Sequence, residues 1–185
     1  MSGEYNILNA TAVVLLARAL KISDEKIKQA LKTFEGVKRR QEVLGEPGGV
    51  LLVEDFAHHP TAVRETLKGI QKKYAPRKVF SVFEPRSATS RRKVFQKDYV
   101  EAFKEGHEIL LAKAFDQSKI DSENRFSSEE LVEDLKKAGK VAESYDNADQ
   151  IVADLKKRAR KGDVVLIMSN GGFDDIYRKL IAALS

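Results

Sequence analysis

From residue 50 to the end of this 185-residue chain, short apolar segments alternate with longer amphipathic ones. Parallel strands need a long crossover between them, and a helix commonly forms it. The alternation therefore predicts an α/β protein with a mainly parallel sheet and helices on both faces. The predicted strands are 50–55, 78–83, 108–114, 140–143 and 163–168, and the predicted helices are 61–74, 91–104, 127–137, 147–160 and 173–184.

Two further features precede this region. Residues 6–20 and 24–34 predict two helices in a hairpin, the second capped by Ser23, and such a hairpin is too small to be a domain by itself. Segment 41–46 predicts a strand joined to 50–55 by the turn Pro47-Gly48-Gly49. So tight a turn makes this pair antiparallel, and we expect it to form an edge hairpin of the sheet.

Composition excludes several classes of protein. The chain has no cysteine, so disulfides and thiolate metal sites are excluded. Much of its net charge of +5 lies in residues 68–78 and 156–161, which are typical of solvated helix faces or, next, of a surface that binds a small anion. We therefore expect no nucleic acid partner. No apolar run has the length of a membrane span, and the amino terminus does not resemble a signal peptide. We therefore expect a cytoplasmic protein without membrane contact.

Polar residues follow three of the predicted strands, as Asp55 to His59, Glu84 to Ser87, and Ser169 to Gly172. The carboxyl ends of parallel strands meet at one edge of a sheet, where open α/β folds bind ligands. Arg39 and Arg40, just before the first of these strands, have the shape to clamp phosphate oxygens. The phosphate-binding motif G-x-x-x-x-G-K-[ST] is absent, so the chain carries no recognised element for holding a triphosphate.

Asp55, His58 and His59 allow three interpretations. They could bind a catalytic metal, as in a stand-alone metal phosphoesterase; Asp55 could accept hydrogen bonds from a ribose; or the segment could only turn the chain and cap the next helix. No further histidine cluster supplies the ligands that a metal site needs, so we predict no metal ligands.

Several strings together resemble the Mur ligase family, whose members join amino acids or peptides to a UDP-muramyl precursor of the bacterial cell wall. They are Asn6-Ile7-Leu8-Asn9-Ala10-Thr11-Ala12, Gly36-Val37-Lys38-Arg39-Arg40 and Asp55-Phe56-Ala57-His58-His59-Pro60. Residues 83–89 and 169–173 are most similar to the murein peptide ligase branch, whereas the double histidine is similar to the branch of the UDP-N-acetylmuramate–L-alanine ligases. Tyr5 and Asp174-Asp175 depart from the family's usual residues.

The resemblance implies that residues 1–38 are the helical tail of a central ATPase domain and residues 39–185 a carboxyl-terminal Rossmann-like domain. It implies an ATP- and Mg²⁺-dependent ligase that joins L-Ala-γ-D-Glu-meso-diaminopimelate to UDP-N-acetylmuramate in peptidoglycan recycling, and so serves cell wall formation, cell shape and division. The missing amino-terminal and central domains would hold most of the ATP and Mg²⁺, so this part alone is expected to be inactive. An L-alanine ligase is the alternative within the family.

The same resemblance implies roles for individual residues. Asn6, Asn9, Arg40 and Asp55 would contact the nucleotide, and His58 and His59 would line the cleft between the domains. Arg86, Ser87, Asn170 and Gly171 would receive the incoming peptide. None of these residues is assigned a catalytic role.

Overall fold

A computed structural model describes residues 2–185. It contains seven helices and six strands within those residues. The helices are α1 (Glu4–Ala19), α2 (Asp24–Thr33), α3 (Pro60–Tyr74), α4 (Gln96–Phe103), α5 (Ser128–Lys137), α6 (Ala148–Arg158) and α7 (Ile176–Leu184). The strands are β1 (Glu42–Gly45), β2 (Leu51–Asp55), β3 (Val79–Phe83), β4 (Glu108–Ala112), β5 (Val141–Tyr145) and β6 (Val164–Met168).

The six strands form one sheet in the order β1-β2-β6-β3-β4-β5. All neighbours are parallel except β1 and β2, which pair antiparallel at one edge. In this register Asp55, Met168 and Phe83 lie side by side at the carboxyl ends of β2, β6 and β3. The mainly parallel sheet and the antiparallel edge hairpin predicted from the sequence are confirmed.

The hydrophobic core has two layers, one on each face of the sheet. On one face α3, α4 and α5 pack with Leu67, Phe103 and Leu135 among their fully buried side chains. On the other face α6 and α7 contribute Leu155 and Leu180. The inner strands are apolar in nearly every position, since both of their faces are covered.

Local capping explains where the helices begin. The side chain of Ser127 accepts a hydrogen bond from the Glu130 amide at the start of α5. Asn147 does the same for the Gln150 amide at the start of α6. These caps satisfy amide groups that have no partner inside the helix.

The structure corrects several predicted boundaries. The helix predicted over 91–104 begins only at Gln96, after a single 3₁₀ turn, because Arg92 pairs with Arg125 in an extended bridge. The strand predicted over 140–143 continues to Tyr145 beside β4. The last helix begins at Ile176 rather than 173, because residues 173–175 all have positive φ.

Helices α1 and α2 form the expected hairpin, but α1 buries none of its side chains within the described residues. Ile7, Leu15 and Leu16 on α1 are all exposed despite being apolar. Among the described residues, none of the helices combines the length and apolar character that a bilayer span requires.

Candidate functional site

Two clefts open near the carboxyl ends of the parallel strands. We call the first the linker cleft, since it lies between the start of α1, residues 37–41 and the start of α3, with a volume of about 620 Å³. We call the second the strand-end cleft; it has a volume of about 660 Å³ and lies beyond the ends of β3, β4 and β5 and the loop after β6.

The linker cleft brings together all four residues predicted to contact a nucleotide, Asn6, Asn9, Arg40 and Asp55. Asn6 and Asn9 come from α1, Arg40 from the linker, and Asp55 from the end of β2. The Tyr5 hydroxyl accepts a hydrogen bond from Gln41 Nε2 at 2.8 Å, which joins α1 to the linker. The cleft therefore depends on the helical hairpin and on the sheet domain together.

Asp55 is buried, with only 2% of its surface exposed. Its Oδ2 accepts a hydrogen bond from the Gln41 amide at 2.9 Å, and its Oδ1 accepts one from the Ala57 amide at 2.8 Å. Burial raises the pKa of the carboxyl above its ordinary value, and the two backbone hydrogen bonds and nearby Arg40 partly oppose that shift. Asp55 thus fastens the linker to the end of β2 while it lines the cleft.

The two histidines have different local partners. His58 Nδ1 lies 3.0 Å from the Phe56 carbonyl oxygen, and the His58 carbonyl accepts a hydrogen bond from the Tyr99 hydroxyl. His59 caps α3 by accepting from the Thr61 amide at 3.3 Å, and its ring packs on Phe95. Only His59 lines the linker cleft. In residues 2–185, no group of three or more potential ligands could hold a metal ion.

Neighbouring arginines in the linker point to different places. Arg40 is exposed and lines the linker cleft. Both guanidinium groups lie over the Phe56 ring, at 5.0 Å for Arg39 and 5.3 Å for Arg40. Arg39 in addition forms an ion pair with Glu54, with Nε 2.7 Å from Oε1. Arg39 also donates from Nη2 to the carbonyl oxygens of Ser169 and Gly171, at 2.8 and 2.6 Å. The sequence does not distinguish these arginines, because their roles depend on the path of the linker.

Arg86 is the predicted peptide residue that lines the strand-end cleft. Its guanidinium carbon lies 3.7 Å from the centre of the Phe115 ring, and its Nη1 lies 3.3 Å from Glu84 Oε1. A guanidinium held flat in this way can present its remaining N–H groups to a carboxylate. The cleft can therefore hold an anionic group at Arg86.

The other predicted peptide residues, Ser87, Asn170 and Gly171, do not line the strand-end cleft, but two of them shape the surroundings of Arg86. Gly171 packs against Arg86, and a Cβ atom at Gly171 would lie 2.0 Å from Arg86 Cδ. Ser87 Oγ accepts a hydrogen bond from the Ser90 amide at 2.9 Å and so shapes the loop after Arg86. Asn170 Oδ1 is buried and has no hydrogen-bond partner within residues 2–185.

Sequence reasoning noted Asp174 and Asp175 but missed the rest of the charged rim of the strand-end cleft. Lys113 and Asp116 follow β4, Asp146 follows β5, and Asp174 and Asp175 lie in the loop before α7. Lys113 pairs with Asp146, and Asp174 pairs with Lys179. The available signal was that Lys113 lies near the end of the strand predicted over 108–114 and Asp146 three residues after the one predicted over 140–143, since those strands also end at this edge.

The region from residue 39 to 171, which is most of the chain, matches the family model described as "Mur ligase, glutamate ligase domain". The chain belongs to the Mur ligase family. The resemblance to this family that the short sequence motifs indicated is therefore confirmed, and so is the Rossmann-like fold of the family's domain.

Comparison with individual Mur ligases gives two different relatives. A UDP-N-acetylmuramate–L-alanine ligase from Desulfitobacterium hafniense is 32% identical over 178 residues, which cover 96% of this chain and 39% of that protein. The crystal structure of a murein peptide ligase from Psychrobacter arcticus is 31% identical, with a TM-score of 0.72 over 100% of this chain and 38% of that one.

A UDP-N-acetylmuramate–alanine ligase from Thermotoga maritima has the same fold, with a TM-score of 0.77 and 22% identity over 98% of this chain and 38% of that chain. The present chain thus spans about two fifths of the length of the Mur ligases that it matches.

Proposed function

We propose that residues 39–185 are the carboxyl-terminal domain of an ATP-dependent ligase that joins L-Ala-γ-D-Glu-meso-diaminopimelate to UDP-N-acetylmuramate, an enzyme of peptidoglycan recycling in the bacterial cytoplasm. Residues 1–38 would be the tail of its central ATPase domain. The observation that carries this proposal is Arg86 at the strand-end cleft, in a chain of the Mur ligase family that also resembles the Psychrobacter enzyme throughout its length.

The exposed apolar side chains of α1 support the proposed domain boundary. Large apolar side chains exposed in number on a globular protein commonly mark an interface. Ile7, Leu15 and Leu16 are exposed within residues 2–185, and packing against a central domain would bury them.

ATP and Mg²⁺ would be bound mainly by the central domain. In the reaction proposed for the whole enzyme, ATP phosphorylates the carboxylate of UDP-N-acetylmuramate, and the peptide amine then displaces phosphate from the acyl phosphate. The linker cleft suits part of a nucleotide, because it combines two asparagine amides, the exposed Arg40 and apolar walls. Asn6 and Asn9 would contact the base, and Arg40 would approach the phosphates when the domains close.

Asp55 would accept a hydrogen bond from the ribose with a carboxylate lone pair that the Gln41 and Ala57 amides do not use. His58 and His59 would form the wall of the closed cleft. In the strand-end cleft Arg86 would hold a peptide carboxylate and thereby orient the amine toward the acyl phosphate.

A domain exchange tests this function. The region of the Psychrobacter enzyme equivalent to residues 1–185 is replaced by this chain, and ligation of the tripeptide and of L-alanine to UDP-N-acetylmuramate is measured. We expect ATP-dependent ligation of the tripeptide. The unmodified Psychrobacter enzyme and the circular dichroism spectrum of the hybrid serve as controls.

The L-alanine ligase is the second candidate, because the Desulfitobacterium relative bears that name. A folded hybrid that joins L-alanine but not the tripeptide would establish this candidate instead. Stoichiometric transition metal in the purified chain, together with phosphodiester turnover, would favour the metal phosphoesterase interpretation of Asp55, His58 and His59.

A further inference from the structure

We propose that Arg39 is a positioning residue that holds Arg86 in place in the strand-end cleft. Its side chain connects the linker to the loop after β6, and that loop in turn contacts Arg86 through two routes. The importance of this connection for catalysis rests on the proposed role of Arg86 in binding the peptide.

Arg39 is anchored on the linker side by its own backbone. Its amide donates to Glu42 Oε2 at 2.6 Å, and its carbonyl accepts a hydrogen bond from the Phe56 amide at 2.7 Å. Arg39 has a φ of 58° and Gln41 a φ of 51°, which is unfavourable for residues other than glycine. Such a conformation persists only where the surrounding contacts hold it. Here Arg40 lines the linker cleft, whereas Arg39 reaches the loop after β6.

The first route from Arg39 to Arg86 passes through Gly171. Arg39 Nη2 donates to the Gly171 carbonyl, and the Cα of the same glycine lies against the aliphatic part of the Arg86 side chain. A displacement of this carbonyl therefore moves the surface on which Arg86 rests.

The second route passes through Ser169 and Glu84. Arg39 Nη2 donates to the Ser169 carbonyl, and Ser169 Oγ donates to Glu84 Oε2 at 2.7 Å. Glu84 Oε1 in turn accepts from Arg86 Nη1. Ser169 and Glu84 are both buried, so water does not readily replace these bonds.

The geometry requires the planar fork of an arginine. One guanidinium reaches the Glu54 carboxylate through Nε and two carbonyl oxygens through Nη2, in one rigid plane. A lysine ammonium is a point charge on a flexible stem and cannot reproduce that arrangement. Movement of the linker, as in domain closure, would therefore be transmitted to the peptide end of the site.

The experiment measures the Arg86 side chain directly in the 185-residue chain. The Nε–Hε resonance of Arg86 is assigned by its loss in Arg86→Lys, and its position and order parameter are compared between the wild type and Arg39→Lys. We expect the resonance to shift and the order parameter to fall below about 0.6, the range of flexible groups. Arg64→Lys, at an exposed arginine of α3 that pairs with Glu65, should leave it unchanged.

Ser169→Ala provides a second variant, since it removes the bond to Glu84 and the bond that Ser169 Oγ accepts from the Gly171 amide at 2.9 Å, and leaves the Arg39 side chain intact. It should also loosen Arg86, and it decides the question if circular dichroism shows that Arg39→Lys is unfolded. An Arg86 resonance that is unmoved in every folded variant would overturn the proposal. Because the measurement needs no ligand, its outcome is independent of which amine the domain-exchange hybrid uses.

Kinetics in that hybrid add a functional readout. Arg39→Lys should raise the KM for the peptide about tenfold, the order expected for lost hydrogen bonds to a charged group, and leave the KM for ATP unchanged. A rise in both constants would instead indicate a general loss of structure, and would count against a specific positioning role.

Discussion

Gly171→Ala tests how closely the loop after β6 fits the strand-end cleft. The added Cβ would lie 2.0 Å from Arg86 Cδ and 2.1 Å from Arg86 Nε. Ordinary contact begins near 3.4 Å, so the Arg86 side chain must move by at least about 1.4 Å. That movement would separate its guanidinium from the Phe115 ring and from Glu84.

Loss of these two contacts should lower the free energy of unfolding by about 1–2 kcal/mol, because the cation–π contact and the partly exposed ion pair each contribute up to about 1 kcal/mol. The effect on reaction should be larger. Misplacement of a substrate-holding group by about 1 Å can reduce the rate about 100-fold, so kcat/KM for the tripeptide should fall by that order in the hybrid enzyme.

Urea unfolding of the chain and steady-state kinetics of the hybrid measure these effects. Gly172→Ala is the matched control for stability, since Gly172 has φ −78° and ψ −14° and a Cβ there would meet nothing within 4 Å. It should change the free energy of unfolding by less than about 0.5 kcal/mol. If Gly171→Ala behaved like the control in stability and kept full peptide kcat/KM, the proposed packing of Arg86 on Gly171 would be refuted.

Three further predictions concern other parts of the molecule. Burial raises the pKa of Asp55 above 3.8, so the stabilising contribution of its protonated form is fully present below that pH and falls as the unfolded chain ionises. The wild type should therefore lose stability relative to Asp55→Asn as the pH rises from about 3.8 through the folded pKa. A difference in the free energy of urea unfolding that did not change with pH would contradict this. Arg40→Ala should raise the KM for ATP in the hybrid about tenfold and leave the KM for the peptide unchanged. A raised KM for the peptide with an unchanged KM for ATP would contradict the assignment of Arg40 to the nucleotide. Phe83→Ala should lower the free energy of unfolding by about 3–5 kcal/mol. Val94→Ala, at an exposed position, should lower it by less than about 0.5 kcal/mol. If the two variants had similar urea midpoints, Phe83 would not belong to the core.

The structure changes how Asp55 should be tested. If Asp55 only contacted a ribose, Asp55→Ala would weaken ATP use and leave the fold intact. The carboxylate also accepts hydrogen bonds from the Gln41 and Ala57 amides, so its removal leaves buried donors unpaired. Such groups cost about 1–3 kcal/mol each, and a stability measurement must accompany any kinetic one.

The sequence by itself determined the class of fold and the edge at which the site lies. The spacing of apolar residues and the local composition can be read from neighbouring positions alone. The apolar run 163–168 therefore predicted a buried strand, which the structure has as β6, Val164–Met168. The same local rules placed Asp55 at the end of one strand and Glu84 and Ser169 just after two others, and parallel strands bring such ends together. The positive φ values at 173–175 were not predictable in this way, since no glycine marks them.

Only the tertiary structure decided which of these residues share a cleft and which support one another. Arg39 and Arg40 are adjacent residues of the same type, and the sequence gives no reason to assign them different roles. In the structure Arg40 lines the linker cleft, and Arg39 reaches Gly171, 132 positions away in the chain. The burial of Asp55 beneath Gln41 likewise depends on how the linker crosses the end of β2. These contacts join segments distant in sequence, and their geometry is fixed only when the sheet, the linker and the loop after β6 pack together.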